Sequence, residues 1–244
     1  MQTATRRNAD GLLIRLGWWA LVLVVVVYGT FALATGISEL LFVLGVAPGM
    51  KQRATPLVFA IHALAGAVGL FIGPLQSFRW IRRRARVRRA LGRTYVVAVW
   101  VASVAALLDV RAFGVSAAAK VVLAVTATLW FTTTTIGLLR ARARRFAEQH
   151  EWMVRSYSLS LFFVTFSLWV PALASTPLPP SIAYPLALFL SAALNLAAAE
   201  VWIRRTRSSA ALARTGVLAS SLRSPAPEWG QGDPPTPEGG TVCV

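Results

Sequence analysis

Long apolar runs separated by arginine-rich connections set the pattern of this chain. Six runs approach or reach the ~20 residues that carry a helix across ~30 Å of hydrocarbon. They fall at about residues 17–34, 56–78, 94–110, 117–139, 153–174 and 181–203. Inside a bilayer the backbone must satisfy its own N–H and C=O groups, so such runs are helices or strands of a closed barrel. Barrel strands would show as ~10-residue alternating stretches, which the sequence lacks. The pattern predicts an all-α fold, a polytopic transmembrane bundle of about six helices spanning residues 17–205. A short N-terminal segment, 1–16, precedes it. A tail, 206–244, follows, rich in proline and glycine and predicted to be disordered.

Basic residues orient the bundle. Of the 25 Lys and Arg, all but Lys51, Arg53, Arg111 and Lys120 lie before the first run, in or flanking alternate connections (Arg155 just inside the fifth run), or after the last run. The positive-inside rule then places both termini in the cytoplasm. The densest connection holds Arg79, Arg82, Arg83, Arg84, Arg86, Arg88, Arg89 and Arg93. Trp18, Trp19, Trp80, Trp152, Trp169 and Trp202 fall near predicted helix ends, where an indole suits the interface. Arg6-Arg7, the first run and Ala32-Leu33-Ala34 also fit a cleavable export signal. The length of the run and the five spans behind it favour a retained helix.

Composition agrees. The chain is 56% hydrophobic and 14% charged, against roughly 25% charged in soluble domains. The net charge of +16 reports topology rather than nucleic-acid binding, since no soluble fold presents it. The lone cysteine, Cys243, provides neither a disulfide framework nor a thiolate metal site. No metal site or cofactor is expected. The predicted partner is the lipid bilayer of the cell membrane, with anionic lipids a candidate at the Arg82 to Arg89 stretch.

Ionisable side chains in a span cost ~2.5–3.5 kcal/mol at mid-depth, so each needs a reason. An outer group comprises His62, Asp109 and Lys120, with Glu39 nearby. His62 lies about 9 Å into the second helix, with Asp109 as its candidate partner. The simpler alternative has Asp109 and Lys120 interfacial and His62 in one interhelical hydrogen bond. An inner group comprises Gln76, Arg93, Arg155, Tyr157, Asn195 and Glu200. Here Arg155 is placed to pair with Glu200 across the bundle. Gly69 and Gly73, four apart, suit close helix packing, and the hydroxyls of Thr132 to Thr135 suit bonds back to helix carbonyls.

Several stretches together resemble an uncharacterised bacterial membrane family, domain of unknown function 2306. They are Ile61-His62-Ala63 through Gly66, Gly73-Pro74-Leu75-Gln76, Leu91-Gly92-Arg93-Thr94-Tyr95, His150-Glu151-Trp152-Met153-Val154-Arg155-Ser156-Tyr157, and Asn195 with Glu200. The resemblance implies a membrane bundle and no established reaction. The chain departs from the family pattern at Arg88, at Gln149 (with His150 one step later) and at Ser167. The resemblance puts histidine at the first two positions and arginine at the third.

Function is not written in these residues, and whether the chain is an enzyme is undecided. A non-catalytic membrane component, partnering a protein or sensing a ligand, is favoured. A membrane-embedded enzyme on a lipid or prenyl substrate is the first alternative. It would use Glu200, Tyr157 and His62 as acid–base candidates, with Trp130, Phe162, Phe163 and Phe166 lining a cavity. A small-molecule or ion transporter is the second, without the internal repeats that class often shows. A haem carrier is disfavoured: there are two histidines, and His62 to Gln76 alone is about 21 Å of helix, so His62 and His150 cannot share an iron.

Overall fold

A computed structural model describes residues 2–46, 55–76 and 78–223. Among them the regular elements are all helices: α1 (Gln2–Val43), α2 (Pro56–Leu75), α3 (Arg79–Arg83), α4 (Ala85–Asp109), α5 (Ala117–Arg142), α6 (Phe146–Ser160), α7 (Phe162–Ala174) and α8 (Pro180–Arg223). Five spans are long and apolar enough to cross a membrane: Arg15–Val43, Pro56–Leu75, Ala85–Asp109, Ala117–Arg142 and Pro180–Ser209. The sixth is broken. α6 and α7 meet at Leu161 with a 41° bend, where sequence alone predicts one straight helix. No proline lies at the break. Ser158 supplies the cause, since its Oγ donates to the Arg155 carbonyl (2.7 Å). Such back-bonding competes with the helix ladder and bends it.

Other boundaries move as well. α1 runs nine residues beyond the predicted end at Ala34, because Ile37, Leu40, Leu41 and Phe42 continue its apolar character. It stops at Gly45, whose φ of 71° a side chain would resist. The N–H groups of Gly45 and Val46 close back on Phe42 and Leu41 (3.0 and 2.9 Å), a Schellman ending. α4 starts at Ala85 rather than near Thr94, so most of the arginine connection is helical; long stems let such residues reach water from a helix.

The chain divides into two compact units, Met1–Ile203 and Arg204–Val244. In the second, residues as far as Arg223 are helical, within the stretch predicted to be irregular from residue 206. Residues 204–223 hold four alanines, three leucines and five arginines, all good helix formers, and the first proline is Pro225. The rest of that tail, residues 224–244, lies outside the described residues.

In the first unit α2, α4, α5 and α6 form a closed ring, α2 against α4, α4 against α5, α5 against α6 and α6 back against α2. Its core is Ile72, Tyr95, Val99, Ala102, Trp130 and Leu159. α1 lies along α2 in the opposite direction: Gly29 faces the Phe71 ring and Gly36 faces Leu64. Burial is inverted relative to a water-soluble protein. Leu23, Phe31, Val97 and Phe189 face outward, while Glu39, Ser103, Thr134, Ser156 and Ser191 are buried. Acyl chains solvate the former, and hydrogen bonds within the bundle satisfy Thr134, Ser156 and Ser191, while Ser103 Oγ has no hydrogen-bond partner among the described residues.

Candidate functional site: a cavity and its floor

The helices enclose a cavity of about 220 Å³ toward the end of the bundle formed by the start of α2 and the end of α4. Residues of α1, α2, α4, α5, α6, α7 and α8 line it, and its wall is mainly aromatic and aliphatic. Trp130, Phe162, Phe163 and Phe166, the four aromatics that the sequence offers as cavity lining, all line it. The 41° bend is what delivers three of them. Phe162 and Phe166 stack (6.0 Å between centroids, 5° between planes), and the Phe166 ring meets Tyr184 edge-on at 5.5 Å. Gly66 also lines the wall, and a Cβ there would meet nothing within 4 Å.

Polar groups gather at one end. His62 Nδ1 lies 2.8 Å from the Ala102 carbonyl. A carbonyl only accepts, so Nδ1 carries the proton and, in the neutral ring, Nε2 is an acceptor. Thr55 donates its hydroxyl to Asp109 Oδ1 instead of capping α2. His62 and Asp109 thus share the cavity, each with its own protein partner. Thr35 of α1 also reaches it, and Glu39, one turn further along that helix, is buried.

Beneath the opposite end lies a buried polar loop. Trp130 Nε1 donates to Ser160 Oγ (3.1 Å), which is 3.2 Å from Tyr95 Oη; Tyr95 Oη is 2.8 Å from Ser156 Oγ, and that oxygen is 2.6 Å from Thr134 Oγ1. Thr134 returns its proton to the Trp130 carbonyl (2.8 Å). One assignment satisfies the set: Ser160 donates to Tyr95, Tyr95 to Ser156, Ser156 to Thr134, and each hydroxyl gives one proton. Four hydroxyls in an apolar interior are thereby paired without water.

The inner candidates do not converge. Arg155 donates through Nε and Nη2 to Glu200 Oε2 (3.1 and 2.8 Å) while its guanidinium covers the Trp152 ring at 4.8 Å. Tyr157 donates to the Leu70 carbonyl (3.1 Å), and Asn195 Nδ2 donates to Thr165 Oγ1 (3.0 Å). Gln76 caps α2 through its backbone N–H to Ile72 (3.2 Å), and Arg93 is exposed on α4. Of the outer group, Lys120 turns away to donate to the Arg111 carbonyl (3.1 Å). Among the described residues no three His, Cys, Asp or Glu side chains gather to hold a metal.

Residues that sequence reasoning passed over carry much of this. Ser160 and Thr55 belong to no motif, and Tyr95 and Ser156 were singled out only within longer stretches. The available signal is Ser156 and Ser160, two hydroxyls one helical turn apart and so on one helix face.

Comparison with known proteins returns one family. Residues 59–203 match the model described as predicted membrane protein (DUF2306). Neither the curated proteins nor the solved structures give a match. The matched stretch takes in the ring, the bend and the polar loop, and leaves out α1. It covers more than half of the 244 residues, and the chain belongs to the DUF2306 family of predicted membrane proteins.

Proposed function

We propose that the chain is a non-catalytic, multi-pass component of the cell membrane that holds a lipid-like molecule within its bundle. The observation that carries this is the cavity: about 220 Å³, walled by apolar and aromatic side chains from seven helices, with His62 and Asp109 at one end. Small-molecule sites are concave and mostly apolar with a few polar groups that set orientation. Two of the three acid–base candidates act elsewhere, Glu200 on Arg155 and Tyr157 on Leu70. That favours holding a molecule over transforming it.

A second reading, an enzyme on a lipid or prenyl substrate, draws on His62, whose acceptor nitrogen suits a general base beside bound substrate. Both readings share a topology with the two termini in the cytoplasm, supported by the distribution of arginine. Both also allow anionic headgroups at the Arg82 to Arg89 stretch, supported by its charge and by the Arg84 guanidinium over the Trp80 ring at 4.3 Å.

The test is mass spectrometry of molecules extracted from the purified protein and from Gly66→Leu, which fills the cavity. An apolar-chain molecule retained by the first and lost by the second, with helicity unchanged, is expected. Equal retention would contradict the reading. A chemically different, unconverted precursor retained by His62→Ala in place of the molecule held by the native chain would favour the enzyme.

A further inference from the structure

We infer that the molecule held is a single-chain amphiphile with a hydrogen-bond-donating head, a hydroxyl or an amine, and that it reaches the cavity sideways from the bilayer between α1 and α7. This rests on the cavity being a binding site and adds the chemical class and the route.

The route follows from two rings. Phe31 of α1 and Phe163 of α7 both line the cavity, yet they are 65% and 52% exposed. A side chain that faces a cavity and the outside at once marks a gap in the wall. α1 packs along α2, and α7 packs on α8 through Phe166 against Tyr184 and Thr165 against Asn195, which leaves Phe31 and Phe163 on the exposed side. Phe31 lies twelve residues before the end of α1 and Phe163 eleven before the end of α7, roughly 18 and 16 Å of helix. Those depths fall near the middle of a ~30 Å hydrocarbon core, where acyl chains are the surrounding solvent.

The chemical class follows from the polar end. Phe59 and Leu70 bound the cavity along α2, eleven residues or roughly 16 Å apart, which is room for an extended chain. Its polar end presents acceptors: His62 Nε2, set by the Nδ1 bond to Ala102, and the Asp109 carboxylate, of which Thr55 takes Oδ1. Among the described residues no lysine or arginine lines the cavity, and Lys120 is turned to the Arg111 carbonyl. A phosphate head would meet the Asp109 carboxylate, with no cation among those residues to offset it. A hydroxyl or ammonium head finds what it needs, and an ammonium gains a charge-assisted bond to Asp109.

The experiment uses the whole chain in phosphatidylcholine nanodiscs with three diazirine probes of one chain length, ending in a primary alcohol, a primary amine or a phosphate. The alcohol and amine probes should label peptides of α2, α5 and α7 that line the cavity, and the phosphate probe should not. Asp109→Asn should weaken the amine probe about tenfold, the loss of one charge-assisted bond, and the alcohol less. Phe31→Ala with Phe163→Ala should load severalfold faster than the native chain, whereas Val104→Ala, on a different exposed face, should not. Equal labelling by the phosphate probe, or loading unaffected by the two phenylalanines, overturns the inference. If that occurs while Gly66→Leu still abolishes retention of the native molecule, the binding reading stands and only the class or route falls. If Gly66→Leu changes nothing either, both fall. Probe preference in the native chain depends on no variant folding.

Discussion

The ring of Tyr157 occupies the space in which residue 73 would carry a side chain: a Cβ on Gly73 would lie 1.9 Å from Tyr157 Cε2. That contact presses α6 onto α2, closes the ring of helices and aims the phenol at the Leu70 carbonyl. Gly73→Ala should therefore displace Tyr157 and destabilise the bundle by ~1–3 kcal/mol, the usual cost of overpacking. Gly66→Ala, two turns away with nothing within 4 Å, should be neutral or stabilising by up to ~1 kcal/mol, since alanine is the better helix former. Thermal unfolding of the two variants in one detergent compares them directly.

The polar loop predicts a non-additive pattern. Ser156→Ala removes the acceptor of Tyr95 and the donor to Thr134 at once. Its cost should be ~1–3 kcal/mol because buried hydroxyls are left unpaired. Tyr95→Phe should cost a similar amount, and the double variant less than the sum, because the second change removes a group that the first has already orphaned. Strict additivity in a denaturation cycle would argue against the loop.

Arg155 and Glu200 tie α6 to α8, with side chains 19% and 38% exposed. Polar contacts between membrane helices are modest, so a double-mutant cycle with Arg155→Met and Glu200→Gln should give a coupling of roughly 0.5–2 kcal/mol. Arg155→Lys should keep only part of it, having one nitrogen where Nε and Nη2 now share an oxygen. A coupling near zero would show that the packing of α8 does not need the pair.

Topology is open to direct labelling. Cys243 is the only native thiol. In intact cells a membrane-impermeant maleimide should leave Cys243 and an added Arg86→Cys unlabelled and should label an added Gly114→Cys. Permeabilised cells should expose all three. Labelling of Arg86→Cys from outside would reverse the orientation.

Much of the architecture is legible in the sequence because lipid makes apolar length a strong signal: five spans and the bent sixth overlap the six runs, with shifted ends at α1 and α4, and the pairing of Arg155 with Glu200 follows from two charges facing one interior. The aromatics Trp130, Phe162, Phe163 and Phe166 are legible as lining for the same reason, having few other uses in one region. What escapes is set by geometry that no run of letters carries. The bend at Leu161 depends on serine back-bonding, which the apolar pattern does not display. Asp109 takes Thr55 rather than His62 or Lys120, because the start of α2 lies beside the end of α4, a tertiary fact. Glu39 reads as a loop residue until α1 is seen to continue past it. Gly29 and Gly36, seven apart, hold the register of α1 on α2, and only the facing Phe71 and Leu64 reveal why they are glycines.

The most direct measurement is a crystal structure grown from a lipidic mesophase, with the protein extracted gently enough to keep what it binds. Elongated non-protein density should run from His62 and Asp109 toward Trp130 and Ser160, and it should be missing from Gly66→Leu crystals of the same form. A cavity closed by collapse of Phe162 and Phe166, or one filled by ordered water alone, would contradict a lipid-holding bundle.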